Sequence, residues 1–169
     1  MKRSLFHCLL LFGPLYSAQE APSCAPILHY IHDHLSCCGT LKNSSGFVYV
    51  DVDDGYIHEL IPFIQEEGFE EPPYFGRSDL VGAHITVIYP EEMKKYNIQS
   101  IKECGTSIQF TPRACQVVHP PRQKETDGVY FIVVDAPQLD DLRKQYGLPK
   151  REYDFHITIG VKPKAIKSA

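Results

Sequence analysis

"GAHITVIYP", residues 82–90, is a short alternating stretch bounded by a glycine and a proline. Its β-branched and aromatic residues favour a strand, and Pro90 stops it. Side chains alternate across a strand, so His84 and Thr86 share one face while Ile85 and Val87 take the other. A second copy, "FHITIGVKP", occupies residues 155–163. There His156 and Thr158 point together, opposed by Ile157 and Ile159. The apolar face of each strand can pack on a helix, which leaves an imidazole and a hydroxyl facing outward.

Each motif strand ends a unit of the same order. "GFVYVDVDDG" (46–55) reads as a strand and "YIHELIPFIQEEG" (56–68) as a helix that stops at Gly68, with Pro62 marking a kink or a late start. "VYFIVVDAP" (129–137) is the matching strand, and "QLDDLRKQYG" (138–147) the matching amphipathic helix. Between the units, residues 91–105 read as a loop with a short helix, and residues 106–121 as a hairpin turning at Pro112 and Arg113. Helical spacing at Ile27, Leu28, Ile31 and Leu35 precedes "TLKNSSG" (40–46), which reads as a loop. The repeat implies an α+β fold of two pseudo-symmetric lobes. Each lobe is a small, mainly antiparallel sheet backed by helix, and a central cleft lies between them. Residues 19–45 form a lead-in, and residues 46–169 form the domain.

The 169 residues suffice for one domain with a real core. A net charge of −4 excludes binding to nucleic acid by sheer positive field. The charge is uneven: residues 1–84 hold 4 Lys and Arg against 11 Asp and Glu, and the rest hold 13 against 10. An anionic ligand therefore has the second half as its better support. Lys2, Arg3, a short apolar run and small residues near Ser17 and Ala18 have the pattern of a signal peptide over residues 1–18. That pattern implies a secreted or periplasmic protein, with a cytoplasmic one as the alternative, and no membrane attachment once the signal is removed. Export would also permit disulfides among Cys8, Cys24, Cys37, Cys38, Cys104 and Cys115, and use of the sequon at Asn43.

If both motifs face one cleft, two imidazoles and two hydroxyls converge there. Imidazole titrates near neutral pH, so one ring can accept a proton while the other donates one. Threonine hydroxyls can hydrogen-bond the non-bridging oxygens of a phosphate. Over roughly residues 46–163 the chain resembles the two-histidine (2H) phosphoesterase superfamily, also called 2′-5′ RNA ligase-like or cyclic phosphodiesterase-like. Its small Swiss army knife branch is the nearest in size. The resemblance implies that His84 and His156 form the acid–base pair and that Thr86 and Thr158 bind phosphate. It implies hydrolysis of cyclic nucleotides or RNA-terminal 2′,3′-cyclic phosphodiesters without a metal or other cofactor. The partner is then a small nucleotide or RNA end, met by a monomer.

Further substrate-binding candidates are Lys162, which alternation places on the face of His156; Arg122 and Lys124, in a polar loop; Arg77, just before the first motif; and Tyr130, on a central strand with a choice of cleft or core. Alternation puts Tyr89 opposite His84, among packing residues. Cys24, His29, His32, His34, Cys37 and Cys38 have metal-ligand residue types, but their spacing matches no zinc pattern and reads as a disulfide plus exposed histidines. Two other functions fit the same residues: a module that binds a nucleotide or RNA end without turnover, and an exported metal-binding protein built on the 24–38 cluster.

Overall fold

The computed structural model describes residues 19–20, 24–72, 81–120 and 125–164. The signal-like segment 1–18, Arg77, Arg122 and Lys124 lie outside the described residues. The elements run β1 (Gln19–Glu20), α1 (Cys24–His34), β2 (Cys38–Ser44), β3 (Phe47–Asp51) and α2 (Gly55–His58). They continue with β4 (His84–Ile88), α3 (Pro90–Lys95), β5 (Ser107–Gln109), β6 (Thr111–Val118), β7 (Thr126–Asp135), α4 (Pro137–Gln145) and β8 (Phe155–Pro163). Among the described residues no helix is long and apolar enough to cross a membrane.

The fold is α+β, as expected, but the strands join in one antiparallel sheet of eight, in the order β1-β6-β7-β8-β4-β3-β2-β5. The two motif strands, β4 and β8, are neighbours at its centre. β5 and β6 do not form the expected hairpin. β5 pairs with β2, whereas β6 pairs with β7 and β1. Only Phe110 separates β5 from β6, although they lie near opposite ends of the sheet. The sheet therefore curls until the chain can step from one end to the other. Phe110 is buried, and its N–H donates to the Cys37 carbonyl at 3.0 Å.

Two local readings change. "TLKNSSG" forms most of β2 and its turn into β3. Ser45 and Gly46 both have positive φ, 52° and 86°, which is the geometry of a tight two-residue hairpin. The Asn43 side chain accepts from the Gly46 N–H at 3.0 Å. Only Leu41 of this strand is buried, so its polar surface hid it in the sequence. The helix expected over 56–68 is instead α2 followed by two 3₁₀ turns, Ile61–Phe63 and Gln65–Glu67. Pro62 has no N–H to continue an α ladder. Tyr56, Ile57, Leu60 and Ile64 still reach the core.

That core is one apolar cluster. Val50, Ile85, Ile132 and Ile157 meet Ile57, Leu60 and Leu139 there, all fully buried. Cys24 on α1 is bonded to Cys115 on β6, across 91 positions, while Cys37, Cys38 and Cys104 are free thiols. The partner of Cys24 is thus outside the 24–38 cluster. His29 and His32 there lie against Asp33 at 3.2 and 2.9 Å.

Candidate active site

β4 and β8 run antiparallel with Ile85 directly opposite Ile157. Opposed residues on neighbouring strands share a face. One step along this register in either direction sets His84 across from Thr158 and His156 across from Thr86. Both isoleucines are completely buried on the helical side, and the four polar residues are half-buried on the other. The two motifs therefore meet at the centre of the sheet as a compact set of two imidazoles and two hydroxyls.

Both rings are held in the same way. The Nδ1 of His84 donates to the Gly82 carbonyl at 2.7 Å, and the Nδ1 of His156 donates to the Asp154 carbonyl at 3.0 Å. A carbonyl only accepts, so the hydrogen is on Nδ1 and the lone pair of each neutral ring is on Nε2. Gly82 is required by its surroundings. A Cβ there would lie 2.1 Å from the Asp54 carboxylate, which accepts the Ala83 N–H at 2.9 Å and braces the entry to β4.

Burial pushes both imidazoles below the usual histidine range, because it disfavours the charged form. The opposing influences differ. At His84, the hydrogen bond to Gly82 and the charge of Asp51, its cross-strand neighbour on β3, pull the other way. At His156, the bond to the Asp154 carbonyl and the charge of the Asp154 carboxylate pull upward, while the cationic forms of Arg151 and His84 push further down. Each histidine thus sits within electrostatic reach of the other.

Irregular pairing repeats beside the two motifs. The register shifts between Val48 and Tyr49 on the β3–β4 ladder and between Tyr130 and Phe131 on the β7–β8 ladder. Two consecutive residues then face inward on each motif strand, Val87–Ile88 and Ile159–Gly160, all buried. Such a bulge reverses the alternation beyond it. Lys162 is consequently turned away from His156. It donates to the Glu67 carbonyl at 2.8 Å and lies 5.9 Å from the Phe69 ring centre. Tyr89 is turned the opposite way. It is exposed, stands 6.4 Å from the Phe47 ring and lines a cavity with His156. Tyr130 belongs to the core: it is 1% exposed and packs edge-on against Phe69, and burial pushes its hydroxyl up to about 12.

The aromatic residues that do border the imidazoles are Phe47 and Tyr49, at 5.7 and 6.0 Å from His84, and Phe131, at 4.5 Å from His156. Tyr49 pairs with Thr86 and Phe131 with Thr158 on their ladders. Two arginines support the bend after Thr86. Arg151 donates to the Thr86 carbonyl, and Arg143 donates to the Val87 carbonyl at 2.7 Å. Arg143 also forks onto Glu92 at 2.7 and 3.2 Å. These residues were not legible as site residues, because only the register of the ladders reveals which face they take.

A cavity of about 590 Å³ opens beside His156; Phe131, Tyr89, Gln116, Val118 and Val129 are also part of its lining. Its volume suits a small organic ligand. No curated protein and no solved structure shows a significant match to the chain. A family model described as "Swiss Army Knife, 2H phosphoesterase domain" matches residues 48–166. That span holds both motif strands and most of the sheet. The chain belongs to the Swiss Army Knife family of 2H phosphoesterase domains.

Proposed function

We propose that the protein hydrolyses the 2′,3′-cyclic phosphodiester of a nucleotide or RNA end without a metal. In this reading His84 and His156 are the acid–base pair, and Thr86 and Thr158 hold the phosphate. The observation that carries it is the central register, Ile85 opposite Ile157, which brings the two motifs side by side. The Nε2 lone pair of a neutral ring can then take part in proton transfer at one phosphate, and the hydroxyls can bond its non-bridging oxygens. We read the two strand–helix–strand units as matched lobes, supported by the recurring burial pattern of both motifs. One neutral ring removes a proton from water, and one protonated ring donates its proton to the leaving oxygen. The ring strain of a cyclic phosphate lowers the demand on the site.

The test is direct. Purified protein should open a 2′,3′-cyclic nucleotide in the presence of EDTA, and His84→Ala and His156→Ala should each lose about 10²–10⁴-fold in kcat. Full activity in either variant sinks the mechanism. Binding without turnover across a panel of cyclic phosphates makes the protein a recognition module instead. We also propose that the protein acts outside the cytoplasm as a monomer; the Cys24–Cys115 bridge fits an oxidising compartment. Retention of the full-length chain inside the cell would overturn the location, and a larger mass by light scattering the monomer.

A further inference from the structure

The two halves of the candidate site are not equivalent. On the His84 side, Tyr49 is 8% exposed and its ring is stacked on Phe47 at 5.2 Å, so one of its faces is covered. Asp51 stands opposite His84 and forms an ion pair with Lys42 at 2.5 Å. On the His156 side, Phe131 is only half-buried and borders the open cavity of about 590 Å³. Tyr89 lines the same cavity. Val118 and Val129 add apolar wall, and Gln116 adds an amide that can read the edge of a base. His84 is not part of that lining. A flat aromatic group joined to the bound phosphate thus has stacking surface and space beside His156.

We propose that the nucleoside of the substrate occupies the cavity beside His156, with its base against Phe131 and Tyr89. His156 is then the general acid and His84 the general base. This rests on the phosphodiesterase reading above and orients the substrate within it. In-line displacement puts water and leaving oxygen on opposite sides of phosphorus. The leaving oxygen belongs to the ribose, so it lies on the nucleoside side. The Nε2 of His84 takes one proton from water as the water oxygen bonds to phosphorus. One phosphorus–ribose oxygen bond breaks, its electron pair goes to that oxygen, and the oxygen takes the proton from the Nε2 of His156. The product is a nucleoside monophosphate, and a proton passing through solvent from His84 to His156 restores the pair. Neighbouring charge differs between the rings: the Asp51 carboxylate stabilises the imidazolium formed on His84, whereas at His156 the Arg151 guanidinium favours proton release and the Asp154 carboxylate opposes it.

The experiment compares wild type, His84→Ala and His156→Ala on a purine nucleoside 2′,3′-cyclic phosphate and on bis(p-nitrophenyl) phosphate. The nitrophenolate of the second substrate departs without protonation. His156→Ala should lose at least 100-fold on the cyclic nucleotide and less than about fivefold on the activated diester, whereas His84→Ala should lose about 100-fold on both. Calorimetry with the nucleoside 2′-monophosphate supplies a readout apart from turnover: Phe131→Ala should weaken binding about tenfold, and Phe47→Ala less than twofold. The opposite rescue pattern, or loss of binding at Phe47 and not at Phe131, overturns this orientation and leaves the phosphodiesterase reading standing. Wild-type protein that cleaves neither substrate removes that reading, and the orientation with it.

Discussion

His84 and His156 make the same hydrogen bond to the carbonyl two residues before them, yet their electrostatic surroundings differ. Burial lowers the proton affinity of both. In the free protein both limbs of the pH profile of kcat/KM should therefore lie below the ordinary histidine value of about 6.5. The limbs of kcat should lie higher, because a bound phosphodiester anion stabilises imidazolium. A kcat/KM optimum above pH 8 would contradict this. Asp51 supplies one of the upward pulls on His84, so Asp51→Asn should move one limb to still lower pH and leave the other in place. The same burial has a stability consequence. As pH falls below about 6.5, histidines in the unfolded chain bind protons before these two do. Stability should therefore fall from about pH 6.5 down through the depressed folded-state values, and then level off. Denaturation in urea between pH 7 and 5 measures this slope, which should be shallower in a His84→Gln/His156→Gln double variant. Alternation alone made the four motif residues legible. The asymmetry between the rings was not, because Asp51 and Arg151 approach them from other elements.

At the scale of elements, the bulges decide which residues share a face with the two imidazoles. Counting by twos from His84 and His156 works through Thr86 and Thr158 and then fails at the next count, Ile88 and Gly160. It misplaced Tyr89 among packing residues and Lys162 beside the imidazole for the same reason. A bulge is a property of paired strands, and no residue in "HITVIYP" announces it. The glycine at 160 is the one trace: a Cβ there would lie 2.7 Å from Ile64, so the second motif's inward pair has room for one side chain only. The arginine brace on β4 has its own energetics. Arg143 is 4% exposed and is held by Glu92 and by the Val87 and Pro149 carbonyls. Removing Glu92 leaves a buried cation without its anion, a change that typically costs about 3–5 kcal/mol. Glu92→Leu should accordingly lower stability by about that much in urea titration. Glu92→Leu combined with Arg143→Met should recover part of the loss, since the double change removes both charges. A double variant no more stable than Glu92→Leu alone would show that Arg143 matters chiefly through the two carbonyls it bonds.

At the scale of the molecule, the motif repeat correctly foretold an α+β chain with each motif on a strand, but not how the sheet closes. The sequence 106–121 carries the marks of a hairpin, with Pro112 where a turn would fit. Its halves instead pair at opposite ends of a curled sheet, a long-range outcome that local propensity cannot encode. The covalent tie is of the same kind. Six cysteines leave many pairings open, and among the described residues the bridge links α1 to β6 across 91 positions. Closing a loop of that length restricts the unfolded chain by about 4–5 kcal/mol in the chain-entropy account, and losses on removing native bridges typically run about 2–5 kcal/mol. Cys115 is fully buried, so reductant should reach the bridge mainly through opening of the fold. Protein unfolded and refolded in reductant, or a Cys24→Ala/Cys115→Ala variant, should show a lower urea midpoint by about 2–5 kcal/mol of stability and a steeper urea dependence, because an uncrosslinked chain exposes more surface. Cys115 lies in the apolar core and Cys24 at the start of α1, so activity at 25 °C should survive wherever the fold does. An unchanged midpoint would mean that α1 and the β6 edge are already loose in the folded protein. Loss of activity without loss of fold would mean instead that the bridge positions β6, whose Gln116 and Val118 line the cavity beside His156.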